Sequence, residues 1–193
     1  MPLTHRVRPK SGAVADTPAQ PEQGASRHRM PASEQPMCAV REPVTAYLGL
    51  GANLGAARAT LIQTMADVAA IAGVTLVGQS SLYRSAPLAS SGPDYVNAVI
   101  EILTTLSAPD LLAELQKLEQ LALRQRPYRN APRTLDIDVL TYGDAHIDSA
   151  TLVVPHPRMN ERAFVLLPLA EIAPHCVSAA QLQAVQGQRI KRL

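Results

Sequence analysis

The chain contains 193 residues, with 18 Lys and Arg against 16 Asp and Glu, and its length suggests one domain with an appendage. The first 42 residues hold six of the basic and four of the acidic groups, so the remaining chain holds 12 of each sign. A segment without net charge is a poor candidate for sequence-independent nucleic-acid binding, because that affinity requires the neutralisation of many phosphates.

Composition excludes further classes of protein. No apolar run approaches the ~20 residues that cross a bilayer, so we expect no membrane span. The two cysteines, Cys38 and Cys176, lie far apart, which excludes a disulfide framework and a Cys-rich zinc site and fits a reducing, cytoplasmic location. Aromatic residues make up only 3% of the chain, too few for a protein that stacks many bases.

The N-terminal segment differs from the rest of the chain. Residues 1–40 contain no Ile, Phe, Tyr or Trp but include six prolines, so they cannot bury enough apolar surface to offset chain entropy. We therefore expect residues 1–43 to be a disordered extension and residues 44–193 to form the folded domain. Met30 and Met37 are alternative starts. The segment has no apolar stretch typical of a secretory signal.

A short strand and an amphipathic helix open the predicted domain. Residues 45–50 are β-prone, and the glycines and asparagine of 51–55 break the strand. Apolar residues in 56–72 recur every three or four positions, which indicates one face of a helix that Gly73 ends. Residues 74–83 predict a second strand.

A loop, a strand and a second helix follow. Prolines, serines and a glycine predict a loop over 85–94, and alternating apolar residues predict a strand over 95–105. Ser107 is placed to cap a helix whose leucine face extends to residue 122. An Arg- and Pro-containing loop over 124–133 leads to a strand over 134–142.

The predicted order β-α-β-β-α-β is typical of the ferredoxin-like arrangement. It implies an α+β fold in which an antiparallel sheet carries both helices on one face. A C-terminal elaboration begins at about residue 146.

The strand over 134–142 carries a pair of carboxylates. Asp136 and Asp138 share one face, because side chains alternate along a strand, and their Cα atoms would lie ~6.7 Å apart. Two like charges in this position are explained by a divalent cation between them, and hard oxygen ligands in small number favour Mg²⁺. A strand with an apolar face in the core and a solvated acidic face is the alternative.

Basic residues surround this pair in the sequence. Upstream and downstream lie Arg124, Arg126, Arg129, Arg133, His156, Arg158 and Arg162. Guanidinium groups beside metal-binding carboxylates suit phosphoryl transfer, in which cations neutralise the developing charge. A solvated loop neutralised by nearby acids, with a structural His156, is the alternative. Gly51 and Gly55 follow a predicted strand and loosely resemble a phosphate-binding loop. The chain lacks the Gly-Lys-Ser/Thr sequence of a P-loop here, so the two glycines fit a plain turn better.

Residues 129–140 (RNAPRTLDIDVL) resemble the signature of the 6-hydroxymethyl-7,8-dihydropterin pyrophosphokinase family. Four further segments are similar to that family in the same order, at 47–55, 81–88, 93–98 and 154–166. The similarity extends from about residue 46 to residue 174. The family has the ferredoxin-like fold.

The resemblance implies transfer of pyrophosphate from ATP to the hydroxymethyl group of the reduced pterin, which releases AMP in folate biosynthesis. The metal ligands implied are Asp136 and Asp138, with two Mg²⁺ ions along the triphosphate. The ATP contacts implied are Glu119, Arg124, Arg126, Arg133, Val139, His156 and Arg162. The pterin contacts implied are Ser85, Ala86, Leu88, Tyr95, Asn97 and Phe164, although Phe164 also fits a core position.

The family's chemistry assigns roles within this set. Arg124 and Arg133 would neutralise charge as AMP departs, and Asp136 could accept the hydroxyl proton directly or through a metal-bound water. No protein nucleophile is needed. We expect a monomer whose partners are its two small-molecule substrates.

The chain departs from the family in one loop. Asn130 and Ala131 replace a Trp-Gly pair, Leu123 replaces a glycine, and the loop is one residue shorter than in some members. In the family, this loop closes over the bound nucleotide. Loop closure is therefore the property that we expect these differences to affect most. Two other interpretations are another two-metal nucleotidyl- or phosphotransferase on the same fold, and a non-catalytic ligand-binding module.

Overall fold

The computed structural model describes residues 41–88, 92–122 and 135–193. The elements of the first two ranges are β1 (Val44–Ala52), α1 (Ala57–Ala69), β2 (Val74–Gln79), β3 (Tyr83–Ser85), β4 (Tyr95–Thr104) and α2 (Ala108–Leu121). Those of the third are β5 (Asp136–Tyr142), β6 (Ile147–Asp148), β7 (Val153–Val154), α3 (Ala163–Ile172), α4 (Ala179–Ala184) and β8 (Ile190–Arg192), with 3₁₀ turns at Met159–Glu161 and Pro174–Cys176.

The main sheet is antiparallel in every pairing. Its order is β5-β1-β4-β3-β8, and β2 pairs with β4 on the same side as β3. With β2 and β3 counted as one interrupted strand, the first four predicted strands take the ferredoxin-like order 4-1-3-2. The predicted fold class is therefore confirmed.

The larger core lies between the sheet and the first two helices. Leu61 and Val68 of α1 and Leu111 and Leu115 of α2 are fully buried against apolar residues of the sheet. Ser107 caps α2 as predicted, since its hydroxyl oxygen accepts a hydrogen bond from the backbone N–H of Asp110 at 3.3 Å. These two helices share one face of the sheet, as the sequence predicts.

The opposite face is covered by the C-terminal part of the chain. Val165 and Leu169 of α3 pack on Tyr47, Val99 and Leu140 in a second core. The face of β5 that bears Asp136 and Asp138 also bears Leu140 and is the face that α3 covers. The predicted C-terminal elaboration therefore forms a third layer beside the carboxylates.

The predicted strand over 74–83 is interrupted. Residues 80–82 separate β2 from β3, and both segments pair with β4. The backbone N–H of Ser80 donates to the carbonyl of Val99 at 2.9 Å, and its hydroxyl oxygen accepts from the N–H of Val99 at 3.0 Å. At the break, the Ser80 hydroxyl thus accepts the hydrogen bond that a backbone carbonyl accepts elsewhere in the sheet. The periodicity of apolar residues in the sequence does not reveal this break.

The C-terminal residues extend the main sheet. β8 pairs with β3, and Arg192 of β8 lies 2.9 Å from the Glu171 carboxylate of α3. Glu171 also accepts hydrogen bonds from the hydroxyl groups of Ser81 and Tyr83 at 2.8 and 2.9 Å. These contacts join α3, β3 and β8.

Within the described ranges, no helix has the length and apolar character that a membrane crossing requires.

Candidate active site

A row of side-chain positions crosses the sheet on the face that α3 covers. Tyr83 of β3 pairs with Asn97 of β4, Asn97 pairs with Gly51 of β1, and Gly51 pairs with Asp136 of β5. Directly paired residues project to the same face of a sheet. Asn97 and Asp136 are separated by two interstrand spacings, about 10 Å. The row therefore links the predicted pterin residues to the predicted metal ligands.

Asp136 and Asp138 lie on the same face of β5, as predicted. Both are half-buried, whereas Ile137 and Val139 between and beyond them are buried in the larger core. The buried carboxylate of Glu119 on α2 accepts a hydrogen bond from the N–H of Ile137 at 3.0 Å. Because β5 is an edge strand, this contact holds the backbone between the two aspartates in place.

Asp138 has two basic neighbours. Its Oδ2 lies 3.9 Å from Nε2 of His156 and 3.7 Å from a terminal nitrogen of Arg162. Both basic side chains are less than one-fifth exposed. The structure thus brings together three of the residues that the sequence predicts for the site, and they come from separate parts of the chain.

A bulge in β5 positions His156. Tyr47 pairs with Thr141 and Leu48 pairs with Val139, so Leu140 is the extra residue in this strand. The carbonyl of Leu140 accepts a hydrogen bond from the N–H of His156 at 2.8 Å. This contact fixes the segment that follows β7 beside Asp138.

His156 is held in a defined tautomer. Its Nδ1 accepts a hydrogen bond from the backbone N–H of Arg158 at 3.1 Å, so in the neutral ring the proton is on Nε2, toward Asp138. Burial lowers the pKa of His156, the charge of Asp138 opposes this effect, and Arg162 adds to it. The ring is therefore a neutral hydrogen-bond donor at neutral pH.

Arg162 also contacts the aromatic residue of the site. Its guanidinium carbon lies 5.4 Å from the centroid of the Phe164 ring, within the range of a cation–π contact. The ring of Phe164 borders a cavity of about 290 Å³. Arg162 thus lies between this cavity and Asp138.

Four of the six predicted pterin residues line that cavity. They are Ser85, Ala86, Leu88 and Phe164. The other two are adjacent: Tyr95 pairs with Ser85 in the sheet, and the amide Nδ2 of Asn97 donates to the hydroxyl oxygen of Ser85 at 2.9 Å. The structure therefore gathers the set at one place.

Part of the cavity lining comes from residues near the end of the chain. These are Gly187, Gln188, Arg189 and Ile190. These residues were not predicted from the sequence, because a short basic C-terminal segment contains no local signal that identifies them. Arg189 adds a positive charge to this part of the lining.

Gly51 was predicted to lie in a turn, and the structure places it elsewhere. It lies inside β1 rather than in a turn, between Asn97 and Asp136. A Cβ atom at this position would lie 3.4 Å from Oδ1 of Asn97. The absence of a side chain therefore keeps the centre of the row open.

Some predicted site residues cannot be placed. Arg124, Arg126, Arg129 and Arg133, together with Asn130 and Ala131, lie outside the described residues. Val139 is described, and its side chain is in the core on the face opposite the aspartates. Only its main chain is on the edge of the sheet where nucleotide could contact it.

The donor set of the aspartate pair suits a hard cation. Within the described ranges, no cluster of three or more His, Cys, Asp or Glu is arranged to hold a metal ion. The two half-buried carboxylates nevertheless supply oxygen ligands on one face. Mg²⁺ is commonly held by one or two carboxylates, with substrate phosphates and water completing its ligands, and this site fits that pattern.

Comparison with known proteins identifies the family of this chain. The family model described as 7,8-dihydro-6-hydroxymethylpterin-pyrophosphokinase (HPPK) matches residues 47–174. The chain is 43% identical over 132 residues to a Synechocystis protein named 2-amino-4-hydroxy-6-hydroxymethyldihydropteridine pyrophosphokinase, covering 68% of each chain. It is 43% identical over 135 residues to a Haemophilus influenzae protein of the same name, covering 69% of this chain and 84% of that one.

Solved structures with the same fold include Plasmodium falciparum HPPK-DHPS proteins. One, in complex with pteroate, has a TM-score of 0.54 and 12% identity, covering 69% of this chain and 40% of that chain. The wild-type form with STZ-DHP has a TM-score of 0.56 and 13% identity, covering 79% of this chain and 47% of that chain. This chain thus spans less than half the length of those chains, and its likeness to them concerns the fold. The match of the family model and the bacterial relatives show that the chain belongs to the HPPK family.

Proposed function

We infer that this protein transfers a pyrophosphoryl group from ATP to the hydroxymethyl group of 6-hydroxymethyl-7,8-dihydropterin in folate biosynthesis, with release of AMP. Its membership of the HPPK family supports this reaction. The observation that carries the inference is the placement of an aromatic-bordered cavity and an aspartate pair on one sheet face, with Arg162 between them. A flat ring and a polyphosphate need two such neighbouring subsites.

The cavity is assigned to the pterin ring. Phe164 offers a flat apolar surface for an aromatic ring, and Leu88 adds a second apolar side chain to the lining of the cavity. The Asn97 amide nitrogen is engaged by Ser85, which turns its Oδ1 toward the centre of the sheet beside Gly51. That oxygen can accept a hydrogen bond from a ring N–H, so Asn97 would orient the pterin.

The region between the cavity and β5 is assigned to the polyphosphate. Arg162 supplies a permanent positive charge beside Asp138, and neutral His156 supplies an Nε2–H donor. Arg124 and Arg133 are assigned to the charge that develops on the departing AMP, and Arg126 and Glu119 to nucleotide binding. In this assignment the arginine side chains neutralise phosphate charge, and His156 donates a hydrogen bond to a phosphate oxygen.

Asp136 and Asp138 are assigned as the ligands of Mg²⁺, with two ions per bound ATP. When bound there, Mg²⁺ would neutralise triphosphate charge and polarise the phosphorus that is attacked. Asp136 pairs with Gly51 in the row that also contains Asn97, so its carboxylate is the nearer of the two to the pterin subsite. It is the proposed acceptor of the hydroxyl proton, directly or through water.

The proposed setting is the cytoplasm, where ATP and Mg²⁺ are available and where Cys38 and Cys176 would stay reduced. We also propose a monomer, since the aspartates, the basic side chains and the cavity all come from one chain.

The deciding experiment incubates the purified protein with ATP, Mg²⁺ and hydroxymethyldihydropterin and measures AMP by chromatography. We expect AMP to form only when the pterin is present, together with an equal amount of pterin diphosphate. Release of ADP instead of AMP, or no reaction, would contradict the proposal. AMP formation with a different acceptor alone would favour another two-metal transferase on this fold.

A further inference from the structure

The first turn of α3, which carries Phe164, has two hydrogen bonds of its own helix, from the N–H groups of Val165 and Leu166 to the carbonyl of Arg162, both at 3.0 Å. Arg162 occupies the N-cap position and makes no capping hydrogen bond with its side chain. Pro168 lies four residues after Phe164 and has no N–H, so the carbonyl of Phe164 cannot receive the usual helical hydrogen bond. This turn therefore lacks a side-chain cap and one helical hydrogen bond, and contacts from elsewhere in the chain add to its support.

Gln188 provides such contacts from the wall of the cavity. Its Nε2 donates a hydrogen bond to the carbonyl of Glu161 at 2.7 Å, and its Oε1 accepts one from the N–H of Ala163 at 2.9 Å. The two backbone groups lie on either side of Arg162. One side chain thus spans the backbone of the residue that contacts both Asp138 and Phe164.

Gln188 is itself held relative to the sheet. Its backbone N–H donates to the carbonyl of Val185 at 3.0 Å, at the end of α4. The carbonyl of the next residue, Arg189, accepts a hydrogen bond from the N–H of Ala86 at 3.2 Å, and β8 then pairs with β3. Gln188 therefore connects the start of α3 to the strand that carries Ser85.

We propose that Gln188 is a positioning residue that holds Arg162 and Phe164 in register with the cavity and with Asp138. It acts through the backbone of Glu161 and Ala163, the two neighbours of Arg162, and need not touch either substrate. This inference rests on the proposed roles of Phe164 in pterin binding and of Arg162 in phosphate binding. It assigns to the C-terminal segment a part in substrate affinity as well as in folding.

The test replaces Gln188 by leucine, which has a similar size and no hydrogen-bonding group. Loss of two hydrogen bonds to the backbone should raise the KM for the pterin by about three- to tenfold. Gln188→Glu keeps an acceptor for the Ala163 N–H and should retain more affinity than Gln188→Leu. Gln186→Leu, at an exposed glutamine in the same turn, is the matched control and should leave the KM unchanged.

A double-mutant cycle separates positioning from general destabilisation. Pterin binding is measured for Gln188→Leu, Phe164→Ala and the double variant, each at a temperature well below its unfolding midpoint. If Gln188 acts through Phe164, the double variant should bind pterin no more weakly than Phe164→Ala, because coupled residues are not additive. Additive losses, or a KM for Gln188→Leu equal to that of the unaltered protein, would overturn the proposal.

The same binding measurements, with Arg162→Ala and ATP binding added, distinguish failure of the proposed site from failure of the positioning role alone. If Phe164→Ala and Arg162→Ala both leave substrate affinity unchanged, the proposed site itself is wrong, and the role of Gln188 fails with it. If those variants lose affinity while Gln188→Leu does not, the site stands and only the positioning role is wrong.

Discussion

At the scale of single residues, Asp138 is the centre of the charge arrangement. Its Oδ2 is approached by His156 and by Arg162, and Arg162 in turn lies against Phe164. Burial keeps the pKa of His156 below its ordinary value, so the positive charge beside Asp138 comes mainly from the guanidinium group. Asp138 is thus surrounded by donors that also suit phosphate oxygens.

Replacement of Asp138 by alanine should abolish AMP formation and leave the fold intact. The carboxylate is one of two proposed metal ligands and is 36% exposed, so its loss affects chemistry more than packing. We expect a fall in kcat on the order of a thousandfold or more. Asp144→Ala, at an exposed turn position, is the control. A variant with near-normal activity and a normal circular dichroism spectrum would disprove the role of Asp138.

Gly51 is the position at which a side chain would enter the middle of the site. Gly51→Val should weaken pterin binding by about tenfold or more, because its side chain would project between Asn97 and Asp136. Valine is well accommodated in strands, so the fold should persist. Gly78→Val in β2, where the nearest atoms belong to the flexible Glu101 side chain, is the control. Equal binding by both variants would argue against the placement of the pterin.

At the scale of elements, the site depends on how α3, β3 and β8 are joined. Phe164 comes from α3, Ser85 from β3 and a further part of the cavity lining from the residues that lead into β8. Glu171 lies among these elements and is bonded to Ser81, Tyr83 and Arg192. Disruption of this junction should therefore affect both stability and the shape of the cavity.

The stability contributed by Glu171 should depend on pH. Burial acts to raise the pKa of Glu171, but hydrogen bonds from Ser81 and Tyr83, with the charge of Arg192, outweigh it and hold the pKa below 4.5. A depressed pKa stabilises the fold fully above the ordinary value, and this stabilisation is lost as the pH falls below it. Glu171→Gln should therefore lower the free energy of unfolding by about 1 kcal/mol at pH 7.

Urea unfolding at several pH values checks this prediction. The difference between the unaltered protein and Glu171→Gln should be constant near neutrality and should shrink as the pH falls below about 4.5. Glu114→Gln removes an exposed pair with Lys117 and should have little effect at any pH. A difference that grew toward acid pH would have the opposite sign from the one expected.

At the scale of the whole molecule, balanced net charge conceals a local concentration of charge. Residues 43–193 contain 12 basic and 12 acidic groups. Asp138, His156 and Arg162 are nevertheless gathered at one edge of the sheet. This arrangement suits a small, highly charged substrate such as ATP better than a long polyanion.

A chain that begins at residue 43 should keep full activity. Every described residue of the site follows position 50, and we assign no substrate contact to the N-terminal segment. The values of kcat and of KM for both substrates should match those of the full chain in a steady-state assay. A large loss, with an unchanged unfolding midpoint, would show that residues 1–42 take part in catalysis or binding.

Local pattern was sufficient for much of the fold and for part of the site. The alternation of side chains in β5 placed Asp136 and Asp138 on one face, and the Ser107 cap and leucine spacing located α2. By contrast, Gly51 looked like a turn residue, because glycine disfavours strands. Pairing with β4 on one side and β5 on the other overrides that local preference.

What the sequence determined by itself is the order of strands and helices up to residue 142, the shared face of the two aspartates and the family signature, since each is encoded in neighbouring residues. What only the tertiary structure decided is where distant segments meet. The bulge at Leu140 brings His156 to Asp138, and the pairing of β8 with β3 brings Gln188 to the start of α3. These contacts depend on register and packing between segments far apart in the chain, and local periodicity contains no record of either.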